Sequence, residues 1–592
     1  MKDFLKYVLA TIVGIVAFLI VAGIFGVMSI VGIVASGQAT KPVEDGSVLV
    51  LNLSGSISEQ GQDDIMGKLT GNYSPTNGLN EILAAVKKAK NNENVKGIYI
   101  EAGALGAGLA TLQEIRLALV DFRKSGKWIV AYGDSYSQGA YYLASVADKV
   151  YINPKGMLDW HGLGSQPMFY KDLLAKFGVK YQVVKVGTFK SATETYTEDH
   201  MSDANRLQTS LYINGAWKNI CEAVAKSRGI SVNSLNKYAD EYTAFQSAEL
   251  LKKRKMVDEL MYADNVKTTI KKMLKLDDDD IIPQISVSDM LNVKGDKEKG
   301  DEIAIYYAYG DVVQSSEQSM ITGGGHCIAS STVCRDLEDL MNDDDVKAVV
   351  IRVNSGGGDA YASEQIWHQV SKLKAKKPVV VSMGDYAASG AYYLSAPASW
   401  IMAQPNTLTG SIGIFAVIPD LSGLITQKLG VKFDEVKTNR NSTFGNTMAR
   451  PFNAEETAMM QAYVDRGYLL FRKRVADGRR LPVENVEKIA QGRVWIGTDA
   501  LKIKLVDQLG GLDDAVKKAA QLAKIKDYYT SEYPAPMSWT EQLFGDITSN
   551  GNYLDEQLRL TLGDLYEPFC MMRTLNKQNA LQARLPYIMN IK

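Results

Sequence analysis

VKAVVIRVNSGGGDAYAS (Val346–Ser363) and VVVSMGDYAASGAYYLSA (Val379–Ala396) together decide the fold, because the chain holds a second version of them. VKGIYIEAG begins at Val95 and WIVAYGDSYSQGAYYLAS at Trp128. Val95 and Val346 lie 251 residues apart, as do Gly133 and Gly384, which open the matching GD…GAYYL segments. A constant offset over that distance marks an internal repeat. The leading strands correspond too, VLVLNLSG ending at Gly55 and IAIYYAYG at Gly310. Each copy reads as a strand, an amphipathic helix, a second strand and a turn into another helix. Ala348, Val349, Val350, Ile351 and Val353 form an apolar run broken only by Arg352, the pattern of a strand covered on both faces. Ile366, Val370 and Leu373 then make a core-facing helical stripe, and Leu112, Ile115 and Leu119 a similar one in the first copy. Pro378 opens the strand VVVSM. Such alternation predicts βαβ units, a parallel sheet and the α/β class.

Composition sets the frame around the repeat. A chain of 592 residues is too long for one hydrophobic core, so two or more domains are expected. Apolar residues at 46% and charged residues at 22% are ordinary for a globular protein. A net charge of −1 offers no field for nucleic acid, and no nucleic-acid partner is expected. Cys221, Cys327, Cys334 and Cys570 are too scattered for a disulfide framework. Cys327 and Cys334 are close enough to pair in an oxidising compartment, although a free buried thiol is the commoner fate. The histidines, His161, His200, His326 and His368, do not cluster with the cysteines, so neither a metal nor a cofactor is expected.

From Val8 to Thr40 there is no charged residue, and VLATIVGIVAFLIVAGIFGVMSIVGIV is apolar nearly throughout. A bilayer core takes about 20 such residues as a helix, whereas a cleavable signal peptide has an apolar region of only about 7–15. The expectation is a retained signal anchor with a bilayer partner. Lys2 and Lys6 before it favour a cytoplasmic N-terminus, with the bulk of the chain across the membrane. The predicted layout is an anchor over 1–40 (spanning helix about 8–34), a first α/β repeat over 41–285, a second over 286–527, and a tail over 528–592 without assignable role. Between the copies, Ser202–Leu276 reads as helical and polar, followed by the acidic run Asp277–Asp280 and GDKEKGDE (Gly295–Glu302), a solvated linker.

Two turns in the second copy could carry chemistry. In RVNSGGGDAYAS, Asn354–Gly358 lead from a strand into a helix, and consecutive glycines let backbone N–H groups approach a ligand. GxxxxGK[ST] is absent, so an oxyanion hole or a plain tight turn fits as well as a phosphate loop. In MGDYAASGAYYLS, Ser389 stands where a strand hands over to a helix, which suits either a helix N-cap or a nucleophile. Comparing the copies weights the second reading. The position 251 residues before Ser389 is Gln138, and EAGALG (Glu101–Gly106) replaces the glycine loop. The copies differ at the two places a nucleophile and an oxyanion hole would use. No His/Asp partner is apparent, and a serine needs a base. Lysine can serve if burial disfavours its charged form; bringing it from about 10.4 to about 7 costs roughly 4 kcal/mol and demands a dry, apolar site.

These segments, with VGTFKSATE (Val186–Glu194) and TLTGSIGIF (Thr407–Phe415), resemble the signal peptide peptidase SppA (protease IV) family in its long, two-repeat, membrane-anchored form. The resemblance covers nearly all of the chain. It implies two tandem repeats of ββα units in a fold similar to crotonase and Clp protease, and a serine protease with a Ser/Lys dyad. By that likeness Ser389 is the nucleophile, Lys190 the general base donated by the first repeat, and Ser411 the hydroxyl that orients the lysine. Gly358 and Gly390 supply the oxyanion hole. Gly356 departs from the family's usual proline and leaves Gly357 as a competitor of Gly358. The resemblance further implies a bowl-shaped homotetramer on the outer, periplasmic face of the bacterial cytoplasmic membrane. Its substrates would be hydrophobic peptides such as signal-peptide remnants. A crotonase-like acyl-CoA enzyme would share the amide oxyanion hole but explains neither the anchor nor the Ser389/Lys190 pair. A non-catalytic membrane scaffold would have no use for intact SGA, NSGGG and GTFKSA segments.

Overall fold

The computed structural model describes residues 42–61, 77–293, 299–316, 326–535 and 581–584, with Lys6, Tyr7, Thr11, Val13, Gly14, Ile15, Phe18 and Val21 near the N-terminus. Both copies contain the expected parallel sheet. In the first, Ser47–Ser58, Val95–Gly106, Trp128–Tyr136 and Lys149–Leu158 run side by side in chain order. In the second, Asp301–Tyr309, Val346–Ser355, Val379–Ala388 and Trp400–Ala403 do the same. Tyr528–Tyr533, at the start of the tail, adds a parallel strand beside Asp301–Tyr309. The helices Leu109–Arg123 and Ala360–Lys376 turn their predicted stripes inward: Leu112, Ile115 and Leu119 in one, Ile366, Val370 and Leu373 in the other, all buried. The expected run Val349–Val353 is covered on both faces, since Val349 and Ile351 join one apolar cluster and Val350 the other.

The polar region between the copies is helical, as expected, and belongs to the core of the first half. Its helices Asp203–Arg228, Val232–Asp240 and Ala248–Lys253 pack Ile220, Val224, Leu235 and Leu251 into the same core as Leu49, Ile98 and Ile129. Ile220 and Val224, at i and i+4, lie on the buried side of the long helix, on which Leu207 and Leu211 are exposed. Asp277–Asp280 keep the exposure expected of a solvated segment; of GDKEKGDE, Lys299 and Gly300 are exposed, Glu302 is buried in the strand Asp301–Tyr309, and 295–298 lie outside the described residues.

Three devices join the copies and thereby position the site. Strand Lys180–Lys185 of the first half leaves its own sheet and pairs antiparallel with Phe415–Asp420 of the second. Asp385 of the second copy caps the helix Leu109–Arg123 of the first, accepting from Ala110 N at 2.7 Å, Thr111 N at 3.0 Å and Thr111 Oγ1 at 2.6 Å. Arg352, the polar break in the apolar strand, is fully buried between two carboxylates of the first half. Its Nε donates to Glu59 Oε2 at 2.8 Å, and its Nη2 lies 2.8 Å from Glu114 Oε2, a contact without hydrogen-bond alignment.

Among the described residues no helix is long and apolar enough to cross a membrane. The run expected to form the anchor, Val8–Val34, lies outside them apart from Thr11, Val13, Gly14, Ile15, Phe18 and Val21. Cys334 is a free thiol, so it is not bridged to Cys327.

Candidate active site

Ser389 ends the strand Val379–Ala388 and precedes the helix Gly390–Ser395 with φ 57° and ψ −116°. A non-glycine residue there costs on the order of 1–3 kcal/mol and persists only where its surroundings hold it. Ser389 N donates to Gly410 O at 2.8 Å, and its carbonyl accepts from Tyr393 N at 2.8 Å. The side chain makes no N-cap bond, which removes that reading. The first copy shows what a cap looks like at this turn. Ser137, with φ −67° and ψ 159°, accepts from Ala140 N, and the helix starts at Gln138 without strain. Gln138 is tied to the neighbouring turn instead, accepting from His161 N and Gly162 N and donating to Gly162 O.

Lys190 follows the crossing strand Lys180–Lys185, so the exchange between sheets delivers it to the second copy. Its side chain is wholly buried. Nζ lies 2.7 Å from Ser389 Oγ, 2.9 Å from Ser411 Oγ and 3.1 Å from the Ser411 carbonyl oxygen. Among the described residues no carboxylate pairs with it, and the Phe415 ring stands 5.8 Å away. Burial alone pushes the Lys190 ammonium well below the ordinary lysine range. Ser411 is also strained, with φ 51°, and its N–H donates to Arg493 O at 2.7 Å. The structure thus brings Lys190, Ser389 and Ser411 within hydrogen-bond distance. A neutral amine at 2.7 Å from a hydroxyl can accept its proton.

Two glycines of the NSGGG turn differ in their surroundings. Gly357 N donates to Ser355 Oγ at 3.1 Å and is thereby engaged. Gly358 N lies 3.2 Å from where a Cβ would stand on Gly390, and Gly390 N lies 2.7 Å from where one would stand on Gly357. A Cβ on Gly390 would also meet Ser363 Oγ at 2.6 Å, so position 390 accepts only glycine without rearrangement.

Several supporting residues escaped the sequence reading. Gly492, with φ +78°, presses on Lys190, and a Cβ on it would stand 2.6 Å from Lys190 Cβ. Gly413 lies against Gly492, and a Cβ on it would stand 3.3 Å from Lys190 Cδ. Gln208, on the long helix of the first half, holds the lysine loop by donating to Phe189 O at 3.1 Å and Ser191 Oγ at 2.8 Å while accepting from Val494 N at 3.2 Å. Only Gly413 lay in a segment already singled out.

Comparison with known proteins agrees with this architecture. The family model described as peptidase family S49 matches twice, over residues 121–277 and 371–526. The chain is 39% identical over 469 residues to Protease 4 of Salmonella typhi, covering 77% of this chain and 74% of that protein. Protease 4 of Haemophilus influenzae is 32% identical over 515 residues, 84% of this chain and 82% of the relative. The chloroplastic serine protease SPPA of Arabidopsis thaliana is 29% identical over 530 residues, 88% and 76% of the two chains. Two family matches in tandem and relatives aligned over most of their length lead to one conclusion: the chain belongs to peptidase family S49, as a two-repeat serine protease of the SppA (protease IV) kind.

Proposed function

We propose that Ser389 and Lys190 form a catalytic dyad shared between the repeats, cleaving hydrophobic peptides such as signal-peptide remnants beside the bacterial cytoplasmic membrane. The observation that carries the reading is the 2.7 Å approach of a fully buried Lys190 Nζ, with no carboxylate beside it among the described residues, to Ser389 Oγ. Burial favours the neutral amine, which takes the hydroxyl proton as Oγ attacks the substrate carbonyl. The developing oxyanion is received by the Gly358 and Gly390 amides, a contribution of roughly 3–4 kcal/mol for one such donor. Nζ then protonates the leaving amine, and Ser411 keeps it in line. Water repeats the sequence on the acyl-enzyme, so no cofactor is needed.

Because the neutral lysine is the active form, kcat/KM rises with pH through the lowered lysine value and stays high beyond it. The test is kinetics of purified single variants. Lys190→Arg is expected to lose about 10²–10⁴ in kcat, as much as Lys190→Ala, because a guanidinium stays protonated. A near-normal kcat in Lys190→Arg excludes the dyad.

The anchor over about 8–34, the periplasmic placement of the rest and the homotetramer belong to the same reading. The uncharged run Val8–Thr40 after Lys2 and Lys6 supports the first two. External protease added to spheroplasts reads the orientation, and a shielded catalytic region reverses it. Light scattering in detergent reads the tetramer. The layout of 41–285 and 286–527 as repeats, each contributing one member of the dyad, is supported by the exchange of strand Lys180–Lys185.

A further inference from the structure

Gln208 joins the two halves through one side chain beside the base. It stands on the helix Asp203–Arg228 of the first half and is 2% exposed. Four and eight residues on, Tyr212 and Ala216 pack with Leu408, Val494 and Ile496 of the second half, so this face of the helix is an apolar docking face. A polar group persists on such a face only where its hydrogen bonds are made. Those of Gln208 are made in full. Nε2 donates to Ser191 Oγ at 2.8 Å and Phe189 O at 3.1 Å, with Asn205 Oδ1 farther off at 3.4 Å, and Oε1 accepts from Val494 N at 3.2 Å.

Those bonds run to both sides of the proposed dyad. Phe189 and Ser191 flank Lys190 in the chain, so the amide grips the loop on either side of the base. Val494 lies opposite Gly410 in the antiparallel pair of Val494–Ile496 with Leu408–Gly410. Gly410 O accepts from Ser389 N at 2.8 Å, and Ser411, next in the chain, donates its N–H to Arg493 O at 2.7 Å. One planar group thus spans the loop that carries the base and the strand pair that fixes Ser389 and Ser411. The helix that holds it is itself tied to the far end of the lysine loop, because Glu194 accepts from Ser202 Oγ at 2.6 Å and Asn205 Nδ2 at 3.0 Å. Glutamine supplies two donors and an acceptor in one plane, which neither an ionised glutamate nor a methionine can.

We propose that Gln208 is a positioning residue for the base, holding the Lys190 loop at working distance from Ser389 and Ser411; this rests on the Ser389/Lys190 reading above and deepens it. Gln208 bonds to neither Lys190 Nζ nor Ser389 Oγ and acts through the loop. Without its amide the loop keeps the bond from Phe189 N to Gln491 O at 2.9 Å, but Phe189 O and Ser191 Oγ lose the N–H groups that reach them and Val494 N loses its acceptor. Water entering to replace them hydrates the site, and the Lys190 ammonium, which burial alone disfavours, forms more readily. The charged groups that flank the loop are Arg493, 5.2 Å over the Phe189 ring, and Glu194. Replacing Gln208 alters neither, so a change in pH profile reports the lysine's surroundings.

The experiment compares the full chain in detergent as wild type, Gln208→Met, Gln208→Ala, Ser191→Ala and Lys190→Arg. kcat and KM for an added alanine-containing peptide are read from about pH 6 to about pH 10, beside circular dichroism for the folded fraction. Gln208→Met is expected to lose about 10²-fold in kcat at neutral pH with KM changed less than about twofold, since a small misplacement of the base spares binding. The rising limb of kcat/KM is expected to move up by about one pH unit in Gln208→Met and further in Gln208→Ala, which opens more room for water. A purely structural role lowers kcat only in proportion to the folded fraction and leaves the limb in place. That outcome, or a kcat within about twofold of wild type at every pH, overturns the proposal. If neither Gln208 variant folds, Ser191→Ala decides: it removes one of the bonds and is expected to lose several-fold in kcat with the limb moved the same way, and a wild-type kcat and limb there overturn the proposal. A near-normal kcat in Lys190→Arg removes the dyad reading itself, whereas an inactive Lys190→Arg beside an unmoved Gln208 profile overturns the positioning role alone.

Discussion

Replacing Arg352 with methionine tests whether the two repeats are held together by the buried charge cluster. Arg352 belongs to the second repeat, Glu59 and Glu114 to the first, and all three are nearly inaccessible, with side-chain exposures of 0%, 2% and 5%. The guanidinium is bound further by Ser382 Oγ, which accepts from Nη1 at 3.0 Å. Asn354 Nδ2 donates to the other Glu59 oxygen at 2.7 Å, and Leu512 N donates to Glu114 Oε1. Removing one partner of a buried pair costs about 3–5 kcal/mol, because the remaining charge stays buried. Here one substitution strands two carboxylates, yet the cost should not double. Burial already raises the Glu114 carboxyl against the opposing pull of Arg352, so in the variant Glu114 takes up a proton instead of remaining charged. The expected loss for Arg352→Met is therefore about 3–5 kcal/mol.

The assay is urea unfolding followed in parallel by circular dichroism and by peptide hydrolysis. Lys190 and Ser389 come from different repeats, so hydrolysis should fail at lower urea than secondary structure, and the gap should widen in Arg352→Met. Adding Glu59→Gln and Glu114→Gln to that variant removes the stranded charges and should restore stability to within about 1 kcal/mol of wild type. An Arg352→Met protein within about 1 kcal/mol of wild type, or a triple variant no better than the single one, refutes the account.

Three further outcomes follow from the site. Ser389→Gly and Ser389→Ala should both be inactive, but the glycine variant should be the more stable by about 1–2 kcal/mol in thermal unfolding, since only alanine keeps the strain of φ 57°; equal melting temperatures would mean the backbone relaxes. Gly492→Ala should lower kcat more than it raises KM, because the new methyl stands 2.6 Å from Lys190 Cβ and displaces the base; unchanged kcat shows the lysine loop gives way freely. Gln138→Ala should leave kcat within a few-fold while costing about 1–2 kcal/mol of stability, since its amide serves only the turn at His161 and Gly162; a loss like that of Ser389→Ala gives Gln138 a part in turnover.

The repeat, the parallel sheets and the inward stripes were legible because each is a local pattern with a fixed period. Ser389 stood out for a different reason: one copy breaks a pattern that the other keeps. Arg352 was visible as an exception in an apolar strand, but its meaning depends on Glu59 and Glu114, which are distant in sequence. Gly492 and Gln208 were invisible for the same reason, since neither sits in a pattern and both act by closing space around a residue from elsewhere. The helices over 203–253 were legible as helical and polar, but the residues they bury meet partners in the first sheet that are distant in sequence. The strand Leu581–Arg584, antiparallel to Gly357–Asp359, carries too few residues for any periodicity; its place is set by backbone pairing, to which sequence is nearly blind.

The difference between the copies explains why a duplicated fold can need both halves for one site. At the shared turn, the first copy took an ordinary cap, Ser137, and an unstrained helix start, while the second holds Ser389 in a conformation that no capping bond stabilises. That strain needs support from outside the turn, and the supports come from both halves: Gly410 accepts from Ser389 N, and Lys190 reaches Oγ from the first half. The lysine has the complementary problem. A lone amine in an apolar site is costly unless it stays neutral, and among the described residues it meets two hydroxyls and a carbonyl but no carboxylate. Each half therefore carries a group that is unfavourable in isolation and satisfied by the other. A fragment holding one repeat would face the strain or the burial without its compensation, so catalytic assembly and the docking of the repeats are one event.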